Sequence, residues 1–210
     1  MDVKEKKEKE EKEEIKALKI ILLGENGVGK TSIINRYINN EFNPDNQNET
    51  LGSSFFTKEV KKLNTKYQLK IWDTTGQEKY HSITKLFING ANIVLVVYSL
   101  DLIESYNNLE YWISSVEESL AGKNYILVVV ANKIDLKEEA LITEEEGKIF
   151  AEDRNVLFKS ISCKEEGDSV FKLFDFLLDE ISKINIEPTD SYALHKKSFG
   201  RKKKHRRHIC

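Results

Sequence analysis

Gly24-Glu25-Asn26-Gly27-Val28-Gly29-Lys30-Thr31 is the stretch of the sequence that decides the fold. An apolar run at residues 18–23 comes directly before it, and a helix-length segment at 31–39 follows it. Glycines at this spacing, between a strand and a helix, let backbone N–H groups cradle phosphates at the helix N-terminus. The stretch therefore predicts a phosphate-binding loop, in which Lys30 reaches the β- and γ-phosphates and the Thr31 hydroxyl binds Mg²⁺.

Apolar runs rich in β-forming residues alternate with helix-length segments along the rest of the chain, at residues 68–72, 93–98, 125–131 and 156–161. The segments 105–121 and 169–183 carry apolar residues at steps of three and four, the period of an amphipathic helix. This alternation predicts an α/β fold, a mainly parallel sheet with helices on both faces. Residues 53–70 leave no room for a crossover helix, so we expect a hairpin that turns near Asn64 and adds one antiparallel edge strand.

Length and composition predict one folded domain. The chain has 210 residues, 40% of them apolar, which is enough for one large core. No apolar run approaches the roughly 20 residues needed to span a bilayer, and the N-terminus has no signal-peptide core, so we expect a cytosolic protein. We place the domain at 17–184, between a charged Lys/Glu extension at 1–16 and a flexible tail at 185–210. Two cysteines cannot form a disulfide framework.

The net charge of −2 conceals a split between the body and the tail. Residues 188–210 hold eight Lys and Arg residues against one acid, a net of +7, which leaves −9 for the remainder. A basic tail on an acidic body implies an anionic partner for the tail. We expect an anionic membrane surface; nuclear import or nucleic-acid binding by the same basic run is the less favoured alternative.

A second motif follows the apolar run that ends at Trp72 and reads Asp73-Thr74-Thr75-Gly76-Gln77. Its acid stands at the carboxyl end of a predicted strand, beside the phosphate-binding loop. Asp73 can hold Mg²⁺ through a water, the Gly76 N–H can meet the γ-phosphate, and Gln77 can orient an attacking water. An Asp-x-x-Gly turn alone is weak support, so the position of this motif carries the argument.

A third motif, Asn132-Lys133-Ile134-Asp135, ends the strongly apolar run 125–131. Guanine presents two adjacent donors, N1–H and the N2 amine, and the Asp135 carboxylate can accept both. Asn132 could bond the N7/O6 edge, and the Lys133 stem could cover the face of the base. A wrong base would leave the carboxylate unpaired, so this pairing discriminates strongly in a dry site. A solvated helix N-cap at Asp135 is the alternative.

These motifs, in this order and spacing, resemble those of the Ras-like small GTPases, and within them the Rab family of vesicle-traffic switches. The resemblance covers residues 17–184, and residues 72–78, Trp-Asp-Thr-Thr-Gly-Gln-Glu, are strongly Rab-like. It implies a P-loop GTPase domain with a six-stranded sheet that binds GTP or GDP with Mg²⁺ and hydrolyses GTP. It also implies a monomer on the cytosolic face of endomembranes, with effectors, an exchange factor and a GTPase-activating protein as partners.

The resemblance assigns further residues. Ser32 continues the phosphate-binding loop, Phe42 looks like the aromatic that packs against the base, and Thr50 like the switch threonine that binds Mg²⁺. Ser162-Cys163-Lys164 looks like the loop whose backbone N–H meets the guanine oxygen. Phe55, Trp72 and Phe87 match the aromatic trio that engages effectors, and Tyr80-His81-Ser82 is similar to the endosomal branch. Cys163 itself reads as a buried, inert thiol.

The sequence also departs from the family pattern. Phe42 and Thr50 are eight residues apart, one more than is usual, and Ser99 replaces a common Asp. Asn26 and Thr75 are larger than the usual residues near the γ-phosphate, so we expect slow hydrolysis. A single Cys210 ends the tail, and we treat its prenylation as an open prediction. The alternatives are a GTP-bound scaffold with little or no hydrolysis and a P-loop kinase using ATP, which the third motif disfavours.

Overall fold

The computed structural model describes residues 15–44, 53–74, 81–165 and 167–184. Its strands are β1 (Ile15–Leu23), β2 (Ser54–Lys62), β3 (Thr65–Asp73), β4 (Ile93–Ser99), β5 (Ile126–Asn132) and β6 (Leu157–Ser160). Within the described residues these six strands form one sheet in the order β2-β3-β1-β4-β5-β6. All neighbouring strands are parallel except β2 and β3. The predicted mainly parallel sheet with one antiparallel edge strand is therefore confirmed.

The hairpin predicted for residues 53–70 is formed by β2 and β3. Lys62 pairs with Thr65, so Leu63 and Asn64 alone make the connection. Leu63 has a φ of 52°. A positive φ at the first position of a two-residue loop matches the twist of the two strands that it joins. The turn lies where the sequence predicts it and leaves β2 at the edge of the sheet.

The helices are α1 (Lys30–Asn39), α2 (His81–Ile88), α3 (Ile103–Asn107), α4 (Leu109–Ser119), α5 (Glu144–Asp153) and α6 (Ser169–Lys183). The periodic segment 105–121, which we expect to be one helix, is in fact divided at Asn108. That residue has φ −89° and ψ 2°, and its side-chain amide donates to Glu25 Oε1 at 3.0 Å. The apolar period continues across the break because both short helices pack on the same face of the sheet.

The first strand starts earlier than the predicted domain boundary. Ile15 and Lys16 belong to the segment 1–16 that we expect to be a charged extension, but they pair with Lys66 and Tyr67 of β3. The remainder of that extension, and residues 185–210, lie outside the described residues. The domain limits 17–184 stay a prediction.

Apolar side chains cover both faces of the sheet. Helices α1 and α6 pack on one face, with Ile33, Ile34 and Phe174 in the core. Helix α4 packs on the other face, where Trp112 and Ile113 are buried. Strand β4 is buried along its whole length, as a central strand between two helical layers must be. None of the helices in the described part of the chain has the length and apolarity needed to cross a bilayer.

Tyr98 on β4 carries a polar group into this core. Its side chain is 0% exposed, and its hydroxyl has no hydrogen-bond partner among the described residues. Gly147 of α5 lies directly against it, since a Cβ at Gly147 would stand 1.9 Å from Tyr98 Oη. Burial of the Tyr98 hydroxyl therefore costs desolvation free energy with no hydrogen bond to offset it. Gly147, which has no side chain, leaves space for this hydroxyl.

We predict that Tyr98→Phe stabilises the protein by about 1 kcal/mol, because it removes a buried unpaired hydroxyl. Gly147→Ala should destabilise it by about 1–3 kcal/mol through overpacking, and less so when combined with Tyr98→Phe. Denaturant unfolding of the two single variants and the double variant measures these differences. Tyr106→Phe is the matched control, since the Tyr106 hydroxyl donates to the Glu146 carbonyl at 3.3 Å. A Tyr98→Phe variant less stable than wild type would contradict the prediction.

Candidate nucleotide-binding site

A pocket of about 480 Å³ opens at the edge of the sheet where the parallel strands end. Its volume lies within the range of small-molecule binding sites. Twelve of the residues that the sequence predicts to bind nucleotide line it: Asn26, Gly27, Gly29, Lys30, Thr31, Ser32, Phe42, Asn132, Lys133, Asp135, Cys163 and Lys164. The motifs predicted to act together are therefore gathered around one cavity.

Two glycines of the phosphate loop, residues 24–31, are required by their surroundings. Gly24 has a φ of 131° and Gly29 a φ of 93°, backbone conformations that other residues rarely adopt. A Cβ at Gly24 would lie 2.1 Å from the Val97 carbonyl oxygen, and one at Gly29 would lie 2.4 Å from Asn132 Nδ2. The loop thus lies directly against the ends of β4 and β5, and a side chain at either position would push it away.

Lys30, the first residue of α1, closes the phosphate loop on itself. Its side chain is 6% exposed, and its Nζ donates to the carbonyls of Gly24 and Glu25, both at 2.7 Å. Burial lowers the pKa of Lys30 to about 8, although the charges of Asp73 and Glu25 oppose that shift. The Lys30 ammonium group is therefore already positioned in the loop by backbone carbonyls, where phosphate oxygens would bind.

Thr31 and Asp73, the two predicted Mg²⁺ ligands that the structure describes, are in contact. Thr31 Oγ1 donates to Asp73 Oδ2 at 2.7 Å. The other oxygen, Asp73 Oδ1, is buried and has no partner among the described residues. Burial raises the pKa of Asp73 above its ordinary value, against the opposing effects of the Thr31 hydrogen bond and the Lys30 charge. A buried carboxylate oxygen without a partner beside a threonine hydroxyl fits a hard cation, since Mg²⁺ prefers such oxygen ligands.

The predicted base-reading residues Asn132, Lys133 and Asp135 line the same pocket. Ser162 Oγ donates to Asp135 Oδ1 at 2.6 Å, which fixes the direction of that carboxylate. Asn132 Nδ2 donates to the Val28 carbonyl at 2.8 Å, so its amide joins β5 to the phosphate loop. Lys133 Nζ contacts Asp101 Oδ2 at 3.0 Å. The carboxylate of Asp135 is therefore positioned before any ligand binds, which limits the entropy that binding must cost.

Two predicted binding residues direct their side chains elsewhere. Glu25 Oε1 accepts from Asn108 Nδ2 at 3.0 Å and from Trp112 Nε1 at 3.1 Å. The Val28 side chain is 0% exposed and belongs to the core. These residues can offer a ligand only their backbone. Asn108 and Trp112, which hold the Glu25 carboxylate, belong to no motif. No sequence pattern predicts this contact across more than 80 positions.

The three aromatic residues predicted to engage effectors form one cluster. The Phe55 and Trp72 rings are 4.9 Å apart, and the Trp72 and Phe87 rings are 5.6 Å apart. They come from β2, β3 and α2, so three separate elements supply them. Phe55 is 48% exposed, and Lys19 Nζ lies 5.6 Å from the centre of the Trp72 ring. The cluster presents an apolar surface with a cation at its side.

Four predicted functional residues lie outside the described residues: Thr50, Gly76, Gln77 and Cys210. Thr75, one of the two departures expected to slow hydrolysis, also lies there, as does the Tyr80 of the endosomal-like motif. Nothing in the structure bears on their predicted roles, which stay predictions.

Comparison with known proteins agrees with the geometry. The model of the Ras family matches residues 19–183. Rab-17 of Homo sapiens is 41% identical over 146 residues, which cover 70% of this chain and 68% of that protein. Rab-11B of Dictyostelium discoideum is 40% identical over 162 residues, covering 76% and 73%. Rab5 of Nicotiana tabacum is 32% identical over 146 residues, covering 70% and 72%.

The sheet order, the phosphate loop after β1 and the polar residues at the ends of β3 and β5 define a nucleotide-binding switch of the Ras-like class. The comparisons refine this class. The chain belongs to the Rab family of small GTPases, whose members bind guanine nucleotide.

We predict that the Cys163 thiol reacts very slowly in the folded protein. It is 3% exposed, and burial raises its pKa to about 12. At pH 8 the folded protein then holds on the order of a thousandth of the thiolate of an ordinary cysteine. The rate should rise as the pH approaches 12. Folding also loses stability progressively as the pH rises from about 9 to about 12, because in that range the thiol ionises in the unfolded chain while it stays protonated in the folded one.

Iodoacetamide labelling of a Cys210→Ser variant, followed by mass spectrometry, measures this reactivity for Cys163 alone. Unfolding in guanidinium at the same pH is the control and should restore ordinary reactivity. Rapid labelling of the folded protein at pH 8 would show that Cys163 is not protected.

Proposed function

We propose that this Rab-family protein binds GTP and GDP with Mg²⁺ and hydrolyses GTP, as a switch in vesicle-mediated transport. The observation that carries the proposal is the contact between Thr31 and Asp73. Thr31 lines the same pocket as Asp135, whose carboxylate accepts from the Ser162 hydroxyl. A GTP site needs ligands for Mg²⁺ near the phosphates, which Thr31 and Asp73 would supply beside Lys30. It also needs an oriented acceptor for the guanine donors, which Asp135 would supply.

Thr31, Asp73 and Thr50 are the residues that would hold Mg²⁺, with Asp73 acting through a water. The ion would neutralise the negative charge of the phosphates when bound there. Lys30 would place its ammonium on the β- and γ-phosphates, and the Gly76 N–H would meet the γ-phosphate. Gln77 would orient the attacking water. The Lys30, Thr31 and Asp73 assignments draw support from their mutual contacts, and those of Thr50, Gly76 and Gln77 rest on the family resemblance.

On the base side, Asp135 would accept both guanine donors, Asn132 would contact the N7/O6 edge, and Lys133 would cover the face of the ring. Phe42, which lines the same pocket, would pack against the base. The loop of Ser162, Cys163 and Lys164 would supply a backbone N–H to the guanine oxygen. Of these roles, recognition of the N1–H and N2 amine of guanine depends on the Asp135 carboxylate alone.

We predict that Asp135→Asn shifts preference from GTP toward XTP by at least about a hundredfold. Xanthine carries a carbonyl where guanine carries the N2 amine, and an amide side chain can donate to it. Relative affinities for GTP, XTP and ATP measure the change. Asp101→Asn is the matched control, because Asp101 lines the same pocket but pairs with Lys133. If Asp135→Asn leaves the ratio of GTP affinity to XTP affinity unchanged, the assignment of Asp135 to base recognition is wrong. If the wild-type protein binds ATP more tightly than GTP, the P-loop kinase is favoured instead.

We propose that hydrolysis is slow and is poorly accelerated by activating proteins. Asn26 lines the pocket, so its side chain adds bulk where an arginine finger or Gln77 would enter. Thr75 adds a hydroxyl and a methyl group next in sequence to Gly76 and Gln77. A displacement of a catalytic group by about 1 Å can cost on the order of a hundredfold in rate. The GTP-bound state would then persist.

We predict that Asn26→Gly and Thr75→Ala each raise the hydrolysis rate, and that together they raise it roughly ten- to hundredfold. Single-turnover rates of wild type and the three variants, with and without a cognate activating protein, measure this. Gln77→Leu added to the double variant is the control and should remove the gain. If neither replacement accelerates hydrolysis, the steric argument is wrong. If wild type shows no turnover at all, the protein is a GTP-bound scaffold.

The location proposed is the cytosolic face of endomembranes, with the basic tail against anionic lipid. About 1 kcal/mol per near-surface basic residue makes a +7 tail a substantial anchor, yet stable attachment usually takes two signals. Prenylation of Cys210 would supply the second. Mass spectrometry of the membrane-bound protein from its own cells would exclude the lipid if Cys210 is unmodified.

The aromatic cluster of Phe55, Trp72 and Phe87 would contact effectors.

A further inference from the structure

Arg36, in the last turn of α1, spans two parts of the molecule that the sequence keeps far apart. Its Nε donates to the Cys163 carbonyl at 2.9 Å, and its Nη2 donates to the Lys164 carbonyl at 3.4 Å. Its Nη1 donates to the Asn40 carbonyl at 3.2 Å. One guanidinium therefore connects the end of the helix that starts at the phosphate loop with the loop 162–165. Arg36 belongs to none of the sequence motifs.

The loop 162–165 has four backbone N–H groups, and three of them are already used. The Ser162 N–H donates to Ser169 Oγ at 3.2 Å. The Lys164 and Glu165 N–H groups both donate to Ser162 Oγ at 3.1 Å. The Cys163 N–H donates to no described residue, and Cys163 lines the pocket. Among the described donors of this loop, it is the N–H left for a ligand.

The carbonyl of Cys163 is therefore the group whose position matters. An N–H and a C=O on the same residue are linked through only two soft dihedral angles, so fixing the carbonyl restricts the direction of the N–H. Arg36 fixes this carbonyl and the next with two donors of one planar group. A guanidinium can do this because its five N–H donors form a rigid fork, whereas a lysine ammonium lacks that fixed geometry.

We propose that Arg36 is a positioning residue for guanine recognition: by holding the Cys163 and Lys164 carbonyls, it aims the Cys163 N–H at the oxygen on C6 of the base. The proposal rests on the proposed function, since it assumes that the pocket binds a guanine nucleotide. It adds a specificity-determining contact that comes from α1, the helix that begins with the phosphate-binding residues Lys30 and Thr31.

The competing explanation is that Arg36 only stabilises the end of α1. Asn40, with a φ of 58°, caps that helix by donating its N–H to the Arg36 carbonyl at 3.0 Å. A capping role would affect stability and the binding of every nucleotide equally. A positioning role would affect one contact with the base more than the others. Base analogues that lack particular groups of guanine separate the two explanations.

The experiment measures the dissociation constants of GDP, of the diphosphate of 2-aminopurine riboside, which lacks the C6 oxygen and the N1–H, and of IDP, which lacks the N2 amine. The missing N1–H weakens binding to Asp135 in wild type and variant alike, so a change in the preference for GDP over the 2-aminopurine nucleotide on mutation of Arg36 reports the contact with the C6 oxygen. Arg36→Ala should reduce the preference for GDP over the 2-aminopurine nucleotide by about tenfold, the worth of one hydrogen bond. It should change the preference for GDP over IDP by less than about threefold, because Ser162 still holds Asp135. Arg36→Lys should give an intermediate loss.

Two controls accompany these variants. Arg154→Ala removes an arginine that pairs with Glu110 and Glu117, and it should leave both ratios unchanged. Asn40→Gly keeps the left-handed cap but removes the Asn40 side chain, whose Oδ1 accepts from Arg36 Nη1 at 3.5 Å. It should also leave both ratios unchanged, because Arg36 still donates to the Cys163 and Lys164 carbonyls. If Arg36→Ala is too unstable to purify, Arg36→Lys decides in its place.

If Arg36→Ala lowers the melting temperature but leaves the preference for GDP over the 2-aminopurine nucleotide unchanged, the proposal is wrong. An equal loss of both preferences would also overturn it, since the effect would not be confined to the C6 oxygen. A wild-type protein that does not discriminate GDP from either analogue would instead refute the proposed function. The failure of Arg36 as a positioning residue and the failure of the guanine site are thus separate results.

Discussion

The Asn132 amide at the end of β5 holds the two halves of the pocket together. Its Nδ2 donates to the Val28 carbonyl in the phosphate loop at 2.8 Å, and its Oδ1 accepts from Cys163 Sγ at 3.6 Å. The side chain is 1% exposed, so both contacts are made without competition from water. Gly29 must lack a side chain because this amide occupies the space that a Cβ would fill. The side chain of Asn132 thus connects the phosphate loop directly with the loop 162–165.

Much of this arrangement follows from sequence pattern. The buried runs of β4 and β5, the period of α6 and the hairpin near Asn64 were predictable, because burial and turn chemistry leave local signatures. Parallel strands then bring their carboxyl ends to one edge, so motifs such as Asp73 and Asn132 had to converge there. The break at Asn108 was not predictable, since the apolar period runs through it and its cause is a contact with the distant Glu25.

Side-chain contacts across long stretches of sequence are the part that pattern cannot supply. Glu25 ties the phosphate loop to α4 through two donors, Asn108 and Trp112, on the face of the sheet opposite α1. A carboxylate that accepts two hydrogen bonds holds them more firmly than a neutral acceptor would. The loop is therefore fixed from both sides, by Glu25 toward α4 and by Lys30, the first residue of α1. No pattern in the sequence predicts the partners of Glu25 or of Arg36.

The replacement at Ser99 shows how a departure from the family pattern can be absorbed. A common Asp is missing there, but Ser99 Oγ donates to Asp101, two residues further on. Burial alone would raise the pKa of Asp101, yet hydrogen bonds from Ser99 and Lys133 hold it below its ordinary value. A charged carboxylate consequently faces the Lys133 ammonium, at 3.0 Å. Because the ammonium is fixed at one end, the Lys133 stem has fewer conformations to lose when a base packs against it.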